Sequence, residues 1–408
     1  MPSLNPDILR WARETAGLTL EEAANKLAIN EARGTSGAER LASYESGERE
    51  PTRPLLLRMA KQYRRPLLAF YMSEAPRTGQ RGRDFRTLPP EHSRAQDAVV
   101  DTLIRDVRAR QEMVRAILDD EEEADRLPFV GSMSMSDGVE SALRSIQRTL
   151  DLDIYQYRGR RLNNQGKTGF AYLRQQTERA GIFVLLIGNL GSHHTNIDVE
   201  LFRGLALADD VAPFIVINDQ DAETAWAFTL MHELCHIWLG ATGVSGANAS
   251  TGIEQFCNDV AGRFFIAADE LGELRSIRGT ANDSAAARVS DFADRRQVSR
   301  SMVAYKLYKE GFIDHDQWRG LSGMFRAHWL RAREEQRDRN RDRDGGPSFY
   351  LVKRHRLGDA LVNLTRRVLA DRVLTPSKAG KILGVKPSNV YTLVSGDADP
   401  PRMRKVQG

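Results

Sequence analysis

The sequence predicts an α+β protein that is predominantly helical, with a small sheet packed on one buried helix. Two observations carry this. Short apolar runs rich in β-formers, residues 182–187 (IFVLLI) and 214–217 (FIVI), stand ahead of a long apolar stretch at 222–239. Most of the remaining chain alternates capped helical patterns with Gly- and Pro-marked turns.

Residues 5–72 read as a compact helical set. Pro6 suits a first helical turn, and Gly17 punctuates the next turn. Thr19 and Glu22 form a capping box before a helix over 20–27. A short helix over 40–46 is expected to stop at Gly47, and another occupies 55–63 after Pro51 and Pro54. Residues 74–92 are rich in Arg, Gly and Pro and read as a linker or arm. One long helix follows over 95–125, ending in an acidic, solvated run, and 136–180 is mostly helical. Residues 201–207 are a third strand, interrupted by Gly204. After the apolar helix, 241–252 is a Gly/Ser-rich loop. Helices then run to about 330, a charged linker spans 337–346, and a last helical unit covers 356–395. The expected domains are a helix-turn-helix domain over 1–75, linker and long helices over 76–165, a metal domain over 166–335 and a C-terminal helical domain over 347–408.

The 408 residues carry a formal net charge of +4, with 41% apolar and 28% charged residues. That is an ordinary soluble composition, compatible with nucleic-acid binding without requiring it. The two cysteines, Cys235 and Cys257, cannot build a disulfide framework. The first residues lack a signal-peptide pattern, and the longest apolar run is too short to span a bilayer. A cytoplasmic protein with no membrane role is expected.

The chemistry concentrates in His232-Glu233-Leu234-Cys235-His236. Histidines four apart on a helix share one face, so both rings can reach one Zn²⁺. Glu233 sits beside the first ligand, placed as a general base toward water that zinc acidifies. A third ligand must come from elsewhere. Glu254, 18 residues after His236 and behind a Gly/Ser loop, is the best candidate. Asn258 lies one helical turn further on the same face, suited to hydrogen-bond a ligating imidazole. Trp226, Phe228, Leu230 and Ile237 would bury the helix. The bland alternative is a core helix with two satisfied histidines.

These residues resemble the ImmA/IrrE family of metallopeptidases, in the subgroup with an N-terminal Xre/Cro-type helix-turn-helix domain. The resemblance runs from 181–184 (GIFV), through Phe202-Arg203-Gly204 and 214–218 (FIVIN), to 228–236 (FTLMHELCH) and 254–258 (EQFCN). Val298-Ser299 and residues 303–311 resemble the family's closing helix. The resemblance implies a gluzincin-like site with His232, His236 and Glu254 on zinc and Glu233 as base. It also implies cleavage or inactivation of a repressor or antitoxin partner in stress responses or mobile elements. Two positions depart from the family pattern, which commonly has Gly at Cys235 and a small residue at Cys257. Buried packing is the plain reading of both thiols, and redox sensing or extra metal binding is the alternative.

Residues 18–27 and 44–52 resemble an Xre-type unit, with Arg40, Arg49 and Arg53 as phosphate contacts to double-stranded DNA. The connection between its helices is longer than usual, so a distorted turn or a late recognition helix is expected, and a protein-interaction role stays open. Residues 374–393 have the same look. Thr375 caps, Pro376 starts and Gly384 turns. His193-His194 reads as a solvated loop pair, and Arg77 to Arg86 as a solvated arm in which Asp84-Phe85-Arg86 resembles a segment of the subgroup. His315, His328 and Tyr305 are candidates for stabilising an oxyanion. Three functions follow: a zinc endopeptidase acting on a repressor or antitoxin, a DNA-binding regulator with a non-proteolytic zinc site, and a toxin-like protein that sequesters its partner. Assembly as a homodimer is compatible with each.

Overall fold

The computed structural model describes residues 4–32, 34–75, 94–122, 124–159, 168–191, 195–245, 252–267, 269–341 and 348–395. The chain divides into two units, residues 1–108 with 189–201, and residues 109–188 with 202–408. His193-His194 and the arm from Arg77 to Arg86 lie outside the described residues.

The first unit holds α1 (Pro6–Glu14), α2 (Leu20–Lys26), α3 (Gly37–Glu45) and α4 (Arg53–Gln62). Asn5 caps α1, and Thr19 with Glu22 closes the expected box on α2. Ile8, Leu9, Leu27, Leu41, Met59 and Phe70 form its core. Beside that core the Arg13 guanidinium donates to both carboxylate oxygens of Glu45, at 2.8 and 2.9 Å. The helix expected at 40–46 starts earlier, at Gly37. Ser36 and Glu39 supply a second capping box, and Gly37 sits where a Cβ would stand 2.1 Å from the Ile29 carbonyl oxygen. The long connection from α2 to α3 closes on itself through a bridge between Ala32 and Thr35. α5 (Arg94–Asp120) runs through the division between the units.

The second unit begins with α6 (Val139–Leu150), α7 (Ile154–Gly159) and α8 (Gly169–Arg179), followed by β1 (Phe183–Leu186), β2 (Gly204–Leu207) and β3 (Phe214–Ile217). Next come α9 (Glu223–Trp238), β4 (Gly243–Ser245), α10 (Gly252–Phe265), α11 (Asn282–Arg296), α12 (Arg300–Lys309) and α13 (His315–Arg341). The last helices are α14 (Phe349–Leu357), α15 (Asp359–Ala370), α16 (Pro376–Leu383) and α17 (Val390–Ser395). The strand order is β1-β3-β2-β4, with β1 and β3 parallel and the other pairs antiparallel. β4 falls inside the segment that its composition marked as a loop. Its Gly and Ser carry little strand signal, and its pairing with β2 supplies the backbone bonds.

Every residue of β1, β2 and β3 is buried. The strands therefore read as unbroken apolar runs rather than alternating ones. Val184, Leu186, Ala206, Ile215 and Ile217 share one core with Leu230, Leu234 and Trp238 of α9. That core also takes in Phe129, Leu143, Ile146 and Tyr157, so part of the expected segment of linker and long helices over 76–165 belongs to the body around α9. The amphipathic face of α6 needed a partner, and α9 and α10 provide it. The expected C-terminal domain likewise groups with this unit, not apart from it. Arg174 of α8, tied to Glu178 at 3.1 Å, donates to the carbonyls of Val184 and His355. Among the described residues no helix is long and apolar enough to cross a membrane.

Candidate metal centre

α9 is apolar around most of its circumference, so its polar residues are carried into the core with it. His232 is 4% exposed, and Glu233 and His236 are fully buried. α10 packs against α9 and brings Glu254, also buried, to the same point. The His232 and His236 Nε2 atoms lie 3.1 Å apart. Glu254 Oε2 is 3.2 Å from His232 Nε2, and its Oε1 is 3.4 Å from His236 Nε2. A tetrahedral ion with bonds of about 2.0–2.1 Å needs donors about 3.3 Å apart. The three side chains thus form one face of such a tetrahedron, and this donor set fits zinc. Asn258 Oδ1 accepts from His232 Nδ1 at 3.0 Å, which leaves the Nε2 lone pair aimed at the other donors.

Glu233 occupies a slot that one glycine keeps open. A Cβ on Gly204 would stand 2.2 Å from Glu233 Oε1 and 2.7 Å from Thr229 Cγ2. Gly204 read as an interruption of a strand. It is instead the first residue of β2, where the sheet meets the carboxylate. Buried Asn218 sets that position. Its amide nitrogen donates to Arg203 O at 2.9 Å and its Nδ2 to Phe202 O at 2.8 Å. Sequence reasoning assigned neither residue this role. The available signal was a glycine inside a β-rich run, which marks a close approach.

Cys257 has a donor atom within 4.8 Å of those of His232 and His236. Glu254 reaches both imidazoles, at 3.2 and 3.4 Å, so the carboxylate completes the triangle. Burial and the neighbouring Cys235 push the Cys257 thiol far above its ordinary range. Tyr305 is 44% exposed, His328 is exposed, and His315 rests on the Tyr308 and Trp318 rings. None of these three oxyanion candidates belongs to the buried donor set. In the first unit, Arg40 donates to the Asn30 carbonyl at 2.6 Å, while Arg49 and Arg53 are exposed.

A buried donor triangle on paired helices, with a glutamate following the first histidine, defines a metallopeptidase type of centre. A family model described as the IrrE N-terminal-like domain (Peptidase_M78) matches residues 187–308, which span β2, β3, α9 and α10. This supports the ImmA/IrrE family and a metallopeptidase that uses zinc. No curated protein and no solved structure matches the chain.

Two outcomes follow. Gly204→Ala drives a methyl group into Glu233, so it is expected to displace the carboxylate and cost about 1–3 kcal/mol through overpacking. Thermal melting and a crystal structure of the variant check this; an unmoved Glu233 with unchanged stability would contradict it.

The second concerns pH. Burial would lower the His236 pKa, but the Glu254 hydrogen bond and the charges of Glu233 and Glu254 outweigh it and hold it above its usual 6.5. Burial would raise the Glu254 pKa, but the two imidazoles hold it well below its usual 4.5. Without metal, the imidazolium stabilises fully below pH 6.5, and that contribution is lost as pH rises through the raised value. The carboxylate contribution is present above pH 4.5 and is lost as pH falls through the depressed value. Zinc must displace the His236 proton. Its affinity, measured by chelator competition, should therefore rise up to about tenfold per pH unit until His236 is deprotonated. A pH-independent affinity would contradict the assignment.

Proposed function

We propose that this chain is a cytoplasmic zinc-dependent endopeptidase that cuts a specific partner, a transcriptional repressor or antitoxin, in a stress-response or mobile-element circuit. One observation carries the reading: a fully buried glutamate held beside the donor triangle in a slot kept clear by Gly204. A core helix with two satisfied histidines needs no such slot.

His232, His236 and Glu254 would hold the ion, and Asn258 would fix the His232 ring. Bound zinc supplies a Lewis acid and acidifies water at neutral pH. The Glu233 carboxylate takes the proton of the attacking water and hands it to the nitrogen of the leaving amine. The helical domain in residues 1–75 then serves recruitment toward the partner.

A second reading has its own observation. Cys257 lies near enough to the imidazoles to serve as a fourth protein ligand, and structural zinc sites close with four. In that case the chain is a regulator with a non-proteolytic zinc site, or sequesters its partner without cutting it.

Glu233→Gln separates the two. It keeps the shape of the side chain and removes the base. The peptidase reading expects wild-type zinc content with turnover of the partner reduced by about 10²–10⁴-fold. Fragment analysis by mass spectrometry, together with metal analysis of the same sample, reads both. Cleavage by the variant at the wild-type rate would remove proteolysis by Glu233 from the account.

A further inference from the structure

Positive charge is not shared evenly along the chain. Residues 348–395 contain nine Lys and Arg against two acids, Asp359 and Asp371. Residues 1–75 contain eleven against ten. The basic excess thus lies at the C-terminal unit, while the N-terminal helical domain is close to neutral.

The local geometry of the basic segment is specific. Thr375 caps α16 by accepting from the Lys378 amide, and Pro376 occupies its first turn. Gly384 ends the helix in the left-handed region, at φ 63° and ψ 43°. A single 3-10 turn, Pro387–Asn389, leads directly into α17. Gly380 lets the turn fold back onto α16, because a Cβ there would stand 2.8 Å from the Val385 carbonyl oxygen. Ala379, Ile382, Leu383, Val390 and Leu393 are buried and lock the pair against α15. Two short helices fixed across a glycine turn, with the second presented outward, is helix-turn-helix geometry.

What faces solvent is equally specific. Lys378, Lys381 and Lys386 are exposed on the first helix and the turn, and Arg366 and Arg372 are exposed on and after α15. The second helix and its lead-in expose Ser388 and Tyr391 and half-expose Asn389 and Thr392. Lysines along the first helix and turn suit a phosphate backbone, and Asn, Ser, Thr and Tyr suit base edges and sugars. In the first unit, by contrast, the corresponding Arg40 is spent on the Asn30 carbonyl and Glu39 on the Ser36 cap.

We propose that the C-terminal unit binds double-stranded DNA, with Lys378, Lys381 and Lys386 on phosphates and Ser388, Asn389, Tyr391 and Thr392 presented to the major groove. The proposal does not rest on the peptidase reading, and either can fail alone.

The test uses the full chain and fluorescence anisotropy with a labelled random-sequence duplex of about 30 base pairs across a salt series. The Lys378→Gln, Lys381→Gln, Lys386→Gln triple variant is expected to reduce the slope of log K against log salt by about 2.7. Affinity near physiological salt should fall on the order of 100-fold. The Arg40→Gln, Arg49→Gln, Arg53→Gln variant should keep the wild-type slope. In duplexes enriched by binding selection, Asn389→Ala should relax the sequence preference. The substituted lysines are exposed, so an unchanged melting curve accompanies the loss. The proposal is overturned if the triple variant binds like wild type, or if the N-terminal variant loses the slope instead. It is equally overturned if the wild-type chain ignores the duplex at about 50 mM salt, or if polyglutamate competes as well as DNA, which would point to an acidic protein partner.

Discussion

Two imidazoles and a carboxylate meeting between α9 and α10 are the constraint around which the second unit is arranged. Burying Glu233 and Glu254 among apolar neighbours is costly unless their charge is matched. The two histidines match it in part, and a bound divalent ion would complete it. The surrounding fold serves that convergence. α9 is apolar on nearly all sides so that it can pass through the core, and α6, α8 and α10 close around it. The three main strands are apolar on both faces because they are covered from both sides. Asn218 and Gly204 then bring the edge of the sheet up to the Glu233 carboxylate without touching the donor triangle itself.

Much of this was legible in the residues. The 3.6-residue repeat placed His232 and His236 on one face. The motif gave Glu233 its role, and the distance and loop behind Glu254 singled it out as the third donor. Helix starts were readable at Thr19 and Thr375, where the capping residue and the apolar pattern agree. Other features were hidden for physical reasons. β4 offers one β-former, Val244, between Gly and Ser, and its pairing with β2 makes it a strand. α3 starts early because Ser36 and Glu39 close a capping box inside a connection of unusual length. α6 was legible as a helix, but not its membership of the body around α9, because its apolar stripe is complementary to helices that come much later in the chain. The proximity of Cys257 to the histidines depends on how α10 rolls against α9, a packing detail no local pattern encodes.

The charge distribution complements the buried site. The N-terminal domain carries nearly balanced charge, the peptidase-like body carries more acids than bases, and the basic excess sits on the small helical unit in residues 348–395. Under the proposed function and the proposed DNA contact, joining the metal domain to a basic helical unit would raise the local concentration of a DNA-bound partner without any change at the metal centre.

The account stands or falls on the convergence of His232, His236 and Glu254 on one ion. Elemental analysis of the purified wild-type chain and of Glu254→Ala, each equilibrated with zinc against a competing chelator, measures it most directly. The account predicts about one zinc per wild-type chain and a marked weakening when the carboxylate is removed. A wild-type chain that takes up no zinc, or a Glu254→Ala variant that holds it as tightly as wild type, would contradict it.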